Sequence, residues 1–158
     1  MTTVNDVDLA ELVGRVRALE DRAALEDLVK RYAVGCDTRD PAVLHSTFTA
    51  DARAKYAGDD PLVGADAIVT WIGAATAATL WQQHLISPYS YEIHGDRAQV
   101  IAYLISHQNY QDNPNTVTMM TSRYTLQCTR TDDGWRISDL VLFVGWIESR
   151  YGDQSKLS

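Results

Sequence analysis

Four histidines, His45, His84, His94 and His107, are the first residues to weigh for chemistry. Imidazole ionises closest to neutral pH of any unperturbed side chain, so it can act as acid or base there. His45 falls in a short helical stretch and His94 beside a turn, and both are expected to be solvated. His84 begins a strand and His107 lies inside one; a lone strand histidine also has an ordinary structural role. Strand alternation around His107 puts Tyr103, Ile105, His107 and Asn109 on one face, and Ala102, Leu104, Ser106 and Gln108 on the other. The first set mixes Tyr, His and Asn with one apolar residue, which suits a pocket with a few convergent polar groups. Asp37 follows a helical run and precedes a polar turn, where on its own it reads as a loop residue or local cap.

Other constellations are missing from the sequence. There is no G-x-G-x-x-G, no P-loop and no G-x-S-x-G elbow. No histidine pair stands four apart to hold zinc on a helix. Neither a nucleotide nor a metal cofactor is therefore expected. Cys36 and Cys128 lack C-x-x-C or metal-site spacing and read as reduced thiols. What remains is acid–base chemistry by His, Asp and Tyr.

These groups need elements to position them. Leu9, Leu12, Val13, Val16 and Leu19 recur at helical spacing, and so do Leu25, Leu28, Val29, Tyr32 and Cys36. Gly35 and the polar run Asp37–Asp40 end the second stretch. Asp40-Pro41 then starts a short helix to Phe48, with Asp as cap and Pro at the first position. Ala52–Tyr56 reads as a strand. Gly64-Ala65-Asp66 opens a helix with Ile68, Trp71, Ile72 and Ala75 inward. Four strands follow, over 83–93, 97–110, 117–130 and 135–148, separated by His94-Gly95-Asp96, Asp112–Asn115 and Asp132-Asp133-Gly134. The order predicts an α+β domain: a curved antiparallel sheet with helices on one face.

The chain has 158 residues, enough for one domain with one core. Its 46% apolar and 22% charged residues fit a soluble globular protein. A net charge of −7 argues against a nucleic-acid partner, which needs a basic face. No apolar run is long enough to span a membrane. The acidic N-terminal segment lacks a secretory signal pattern, so the expected compartment is the cytoplasm. The polar residues 152–158 are expected to form a flexible tail.

Several ordered signatures together resemble the SnoaL-like branch of the nuclear-transport-factor-two-like superfamily. They are Arg31-Tyr32, Phe48-x-Ala50-Asp51-Ala52, Gly64-Ala65-Asp66-Ala67-Ile68, His84, Gly95-Asp96-x-Ala98, Arg123-Tyr124 and Asp133-Gly134-Trp135-Arg136. The resemblance covers about residues 18–148 of a single domain, 1–158. It implies a cone-shaped antiparallel sheet closed by N-terminal helices, an α+β barrel.

The resemblance also implies chemistry, although the fold hosts many functions. Asp37 and His84 match the Asp–His pair of scytalone dehydratase, lindane dehydrochlorinase and bile acid 7α-dehydratase. Tyr32 matches a pocket tyrosine of the bile acid enzyme, and His107 resembles a second pocket histidine of scytalone dehydratase. His84 would be the base and Asp37 its orienter, with Tyr32 and His107 as acids or oxyanion donors. The implied activity is a cofactor-independent lyase of dehydratase type, or an isomerase, on a hydrophobic, cyclic small molecule. Tyr56, Trp71, Tyr103, Asn109, Met119, Phe143 and Trp146 are candidates for binding it, each equally readable as an ordinary packing residue. The alternatives are a noncatalytic binding module and an accessory subunit of an oxygenase.

The sequence departs from two other members of the superfamily. Ala52–Tyr56 lacks the carboxylate base of ketosteroid isomerase, and Arg123 lacks the paired aspartates of limonene epoxide hydrolase. Residues 137–147 are apolar on both faces over much of their length, which suits burial from both sides. With the resemblance, this implies a homodimer or homotrimer built through the sheet.

Overall fold

The computed structural model describes residues 9–58 and 60–152. The expected flexible tail therefore lies, beyond Gly152, outside the described residues. Helix α1 runs unbroken over Leu9–Thr38. The two predicted helical stretches are one helix, because no glycine or proline interrupts residues 15–34. Its C-terminal half buries Leu25, Leu28, Val29, Tyr32 and Cys36 as one stripe. The earlier stripe, Leu9 to Leu19, is instead exposed, with Leu9 at 72%.

Helix α1 ends at Arg39, whose φ of 53° is left-handed. The Arg39 guanidinium donates to the Thr76 carbonyl at 3.2 Å and to both the carbonyl and the hydroxyl of Thr79. Asp40 then caps α2 (Pro41–His45), its Oδ1 accepting from the Ala42 and Val43 amides at 2.9 and 3.1 Å. Such a cap contributes about 1 kcal/mol. Helix α2 folds back closely on α1: a Cβ on Gly35 would stand 3.0 Å from the Leu44 side chain.

Strand β1 covers Phe48–Tyr56 and β2 Leu62–Val63, followed by α3 at Ala65–Thr76. Strands β3 (Thr79–His94), β4 (Arg97–Tyr110), β5 (Asn113–Thr131) and β6 (Gly134–Tyr151) form a long meander. Positive-φ Gly95 and Gly134 sit at two of its turns, as expected. The third is tighter than the predicted polar loop, since β5 already begins at Asn113.

The six strands lie in the order β2-β1-β6-β5-β4-β3. The sheet is mixed rather than antiparallel, because β1 pairs parallel to β6. It is also open rather than a closed barrel, with β2 and β3 as edges. The α+β cone remains the right description. Irregularities at Pro88/Ser90, Asn109/Tyr110, Thr121/Ser122 and Gln127/Cys128 interrupt the ladders. Bulges of this kind bend strands and increase their twist. At Gly145 an added Cβ would meet the Thr121 carbonyl at 3.4 Å, so a residue without a side chain suits this irregularity.

The core fills the concave side. Ala98, Val100, Ala102 and Leu104 of β4, Tyr124 and Leu126 of β5, and Ile137 and Leu140 of β6 are buried together with α1 and α3. This is the face opposite the one expected to line the pocket. Arg97 and Gln99 begin the odd set with polar side chains, whereas Ala98, Val100, Ala102 and Leu104 make the first half of the even set a continuous apolar run, so burial turns the even set inward. Among the described residues no helix is long and apolar enough to cross a membrane.

Candidate active site

Asp37 and His84 are 47 residues apart and meet where the last turn of α1 crosses edge strand β3. Two side-chain ties fix that crossing. Arg39 holds the ends of α3 and β3, as above. Gln82 donates its amide to the Cys36 carbonyl at 2.5 Å and accepts from the Thr79 hydroxyl at 3.4 Å. Asp37 lies between these ties. Its Oδ1 is 2.5 Å from His84 Nδ1, and its Oδ2 accepts the His84 backbone N–H at 3.0 Å. The His84 side chain is 9% exposed and that of Asp37 27%. With Nδ1 engaged as donor, the nitrogen left for chemistry is Nε2, an acceptor in the neutral ring.

His84 lines a cavity of about 330 Å³ inside the cone. Tyr32 and Cys36 reach it from α1, Tyr56 from β1, and Trp71 and Ile72 from α3. Gln108, Tyr110, Met120, Tyr124, Leu142, Val144 and Ile147 complete much of the wall. None of these lining side chains is a carboxylate, lysine or arginine. Tyr56 stacks on Trp71 at 4.4 Å with planes 7° apart, forming a flat aromatic wall. The Tyr32 and Tyr56 hydroxyls hydrogen-bond at 3.1 Å. Burial pushes both phenols well above their ordinary ionisation, so they remain protonated donors. Burial likewise raises the Cys36 thiol to about 12, which removes it as a nucleophile at neutral pH. Both cysteines are free. Among the described residues no group of three or more His, Cys, Asp or Glu could hold a metal.

The structure brings Asp37, His84, Tyr32, Tyr56 and Trp71 to one place and separates the other predicted site residues from it. His107 is on the convex face, its Nδ1 3.3 Å from the Gln83 amide nitrogen. Tyr103 is also there, edge-on to Tyr89 at 5.1 Å, and so is Phe143, under the Arg123 guanidinium. Met119 pairs with His107 across the ladder and shares its face. Trp146 is 61% exposed. Asn109 is buried but structurally engaged: its Oδ1 accepts from the Trp81 amide at 3.0 Å and its Nδ2 donates to the Pro114 carbonyl at 3.3 Å. The expectation that Tyr103, His107 and Asn109 face the cone is thus corrected, for the reason given by the β4 alternation. Met119, Phe143 and Trp146 miss it through strand phase: their neighbours Met120, Leu142, Val144 and Ile147 take the inner positions.

Gln108, Tyr110 and Tyr124 are wall residues that the sequence does not assign to the site. Gln108 belongs to the face of β4 set aside as the nonpocket side, and only the polar Arg97 and Gln99 marked the opposite face as outward. A second, apolar groove of about 590 Å³ runs outside the cone between α1 and β3. It touches Asp37 and His84 from behind and includes Val34, Leu85, Tyr103 and Ile105.

A SnoaL-like domain model matches residues 17–141. The chain belongs to the SnoaL-like domain family. Among solved structures it is similar to the hexachlorocyclohexane dehydrochlorinase LinA-type3 from Novosphingobium barchaimii, with a TM-score of 0.78 and 20% identity over 88% of this chain and 96% of that one. It is also similar to a candidate scytalone dehydratase from Novosphingobium aromaticivorans, with a TM-score of 0.77 and 17% identity over 86% and 91% of the two chains. A candidate aromatic ring hydroxylase from the same organism gives a TM-score of 0.72 and 26% identity over 84% and 94%. No curated protein matches. The two similarities at 17% and 20% identity speak for this SnoaL-like fold alone.

Proposed function

We propose that the cone cavity is the active site of a cofactor-independent lyase, of dehydratase or related elimination type, or of an isomerase, acting on a neutral, hydrophobic, cyclic small molecule. The observation that carries this reading is the hydrogen-bonded Asp37–His84 pair at the wall of an uncharged cavity. His84 Nε2 takes a proton from a carbon of the substrate. The C–H electron pair forms the new double bond, and the leaving group departs from the adjacent carbon with its bonding pair. If that group is hydroxide, the proton now on His84 completes the water that is lost. In an isomerisation no group leaves: the C–H pair moves into a conjugated oxyanion, and His84 returns the proton to a different carbon as that charge moves back. Asp37 holds the tautomer and stabilises the imidazolium that forms in between. Tyr32 and Tyr56 supply hydroxyl donors to developing negative charge on oxygen. His107, on the convex face, has no part in this scheme.

The test is a panel of cyclic β-hydroxy ketones and halogenated rings incubated with the protein and a chelator. Formation of the conjugated product is followed by absorbance. Conversion that disappears in His84→Ala supports the reading. Binding without conversion across the panel would favour a noncatalytic binding module.

One observation favours a second reading. The candidate aromatic ring hydroxylase is 26% identical, the highest identity among the three structures compared above. This would make the chain an accessory subunit of an oxygenase. Copurification with a larger metal-containing chain would support it, and a homogeneous preparation active by itself would oppose it.

The convex face bears exposed Leu85, Tyr103, Ile105, Phe143 and Trp146. An apolar patch of this kind commonly marks an association surface. We place a second copy of the chain on it, giving a homodimer or homotrimer.

A further inference from the structure

We propose that Gln108 is the substrate-recognition donor of the cavity: its Nε2 hydrogen-bonds a carbonyl or hydroxyl oxygen of the neutral ring while Tyr110 holds the amide in place. The proposal rests on the reading of the cavity as a binding site for neutral cyclic molecules.

Two glutamines face each other across β3 and β4, Gln82 and Gln108. Their surroundings separate their roles. Gln82 is buried and engaged at both ends, by the Cys36 carbonyl and the Thr79 hydroxyl. Gln108 lines the cavity and, among the described residues, is held at one end: the Tyr110 hydroxyl donates to its Oε1 at 2.6 Å. An amide has one acceptor oxygen and two N–H donors. With the oxygen engaged by Tyr110, the Nε2 donors of Gln108 are left for a cavity ligand.

Position adds to this. His84 pairs with Ser106 across the ladder, so Gln108 is its diagonal neighbour on the concave face. Diagonal neighbours are separated by roughly 7–8 Å, within reach of side chains that extend toward one another. A single ring with one oxygen substituent spans that interval. A carbon acid at His84 can therefore have its activating oxygen at Gln108. The donor is neutral, as the wall around it is, and does not titrate. It favours ligands that bring an oxygen acceptor, because a hydrocarbon of the same shape leaves the N–H groups without a partner.

The experiment compares two probes of nearly equal shape, 1-tetralone and tetralin, the second lacking the oxygen. Affinities are measured by calorimetry for the wild-type protein, Gln108→Met and Tyr110→Phe. Methionine keeps the length of the side chain and removes its donor. In Gln108→Met we expect 1-tetralone to bind about fivefold more weakly, as for the loss of one ordinary hydrogen bond, and tetralin to stay within about twofold. Tyr110→Phe should weaken 1-tetralone by a smaller factor and leave tetralin alone. An equal loss for both probes in Gln108→Met would assign Gln108 a purely structural role and overturn the proposal. So would no loss for either probe. If neither probe binds the wild-type protein, the cavity reading fails together with the assignment of Gln108.

Discussion

Asp37 holds His84 at two points: one carboxylate oxygen lies 2.5 Å from the ring Nδ1 and the other accepts the histidine's own backbone N–H at 3.0 Å. The backbone contact fixes where the carboxylate stands, and the ring contact fixes which nitrogen faces the cavity. Because β3 is an edge strand, its amide at His84 has no strand neighbour on that side, and Asp37 takes the place of one.

Asp37→Asn should therefore leave the fold intact and lower turnover by a factor on the order of 10³ to 10⁴, since an amide can hold the wrong tautomer and cannot stabilise an imidazolium. The ring nitrogen chemical shifts of His84 provide the check. They should report a proton on Nδ1 in the wild-type protein and a changed tautomer distribution in the variant.

The tyrosines give a prediction with a defined sign. Burial raises Tyr32 and Tyr56, so the neutral donor form persists through and beyond the ordinary tyrosine range. The ratio of wild-type to Tyr32→Phe rates should be on the order of 10² and constant from about pH 7 to 10. A ratio that collapses toward unity near pH 10 would mean that Tyr32 ionises there.

The same burial links stability to pH. Tyr32, Tyr56 and Tyr124 are raised in the folded state, as are Cys36 and Cys128, each thiol to about 12. In the unfolded chain these groups lose protons first. Folding stability is thus fully present below about pH 8.5, the ordinary cysteine value, and falls as pH rises through the folded values. Urea midpoints at pH 8 and pH 11 should show a pronounced drop. Cys36→Ala should make the drop shallower, by up to about 1.4 kcal/mol per pH unit in the alkaline window.

Much of the fold is legible in the residues, but less of the site. The inner stripe of α1, the Asp40-Pro41 start of α2 and the turns at Gly95 and Gly134 follow from local preferences, and the structure has them. The parallel pairing of β1 with β6 joins segments about 90 residues apart, as Phe48 beside Ile137, and no local pattern encodes it. Phe143 and Trp146 point outward because register shifts at Gln127/Cys128 and Thr121/Ser122 reset the strand phase, and simple alternation does not anticipate such shifts. The faces of β4 were different: Arg97 and Gln99 already marked the odd positions as outward. Asp37 and His84 stand too far apart in sequence for spacing to pair them, and only the family resemblance joined them before the structure did.

The convex face predicts assembly. Trp146→Glu or Phe143→Glu should place a charge in the interface between copies and shift the protein to single-chain mass in sedimentation at micromolar concentration. Sedimentation of the wild-type protein as a single chain under the same conditions would contradict the homo-oligomer.

The most direct test of the central claim is the rate of product formation by wild-type protein and His84→Ala, measured side by side with a converted panel substrate and a chelator present. Proton abstraction by His84 predicts full wild-type activity in the chelator and a fall to the uncatalysed background in His84→Ala, with the variant still folded by circular dichroism. Near-full activity in His84→Ala, or wild-type activity abolished by the chelator, would contradict it.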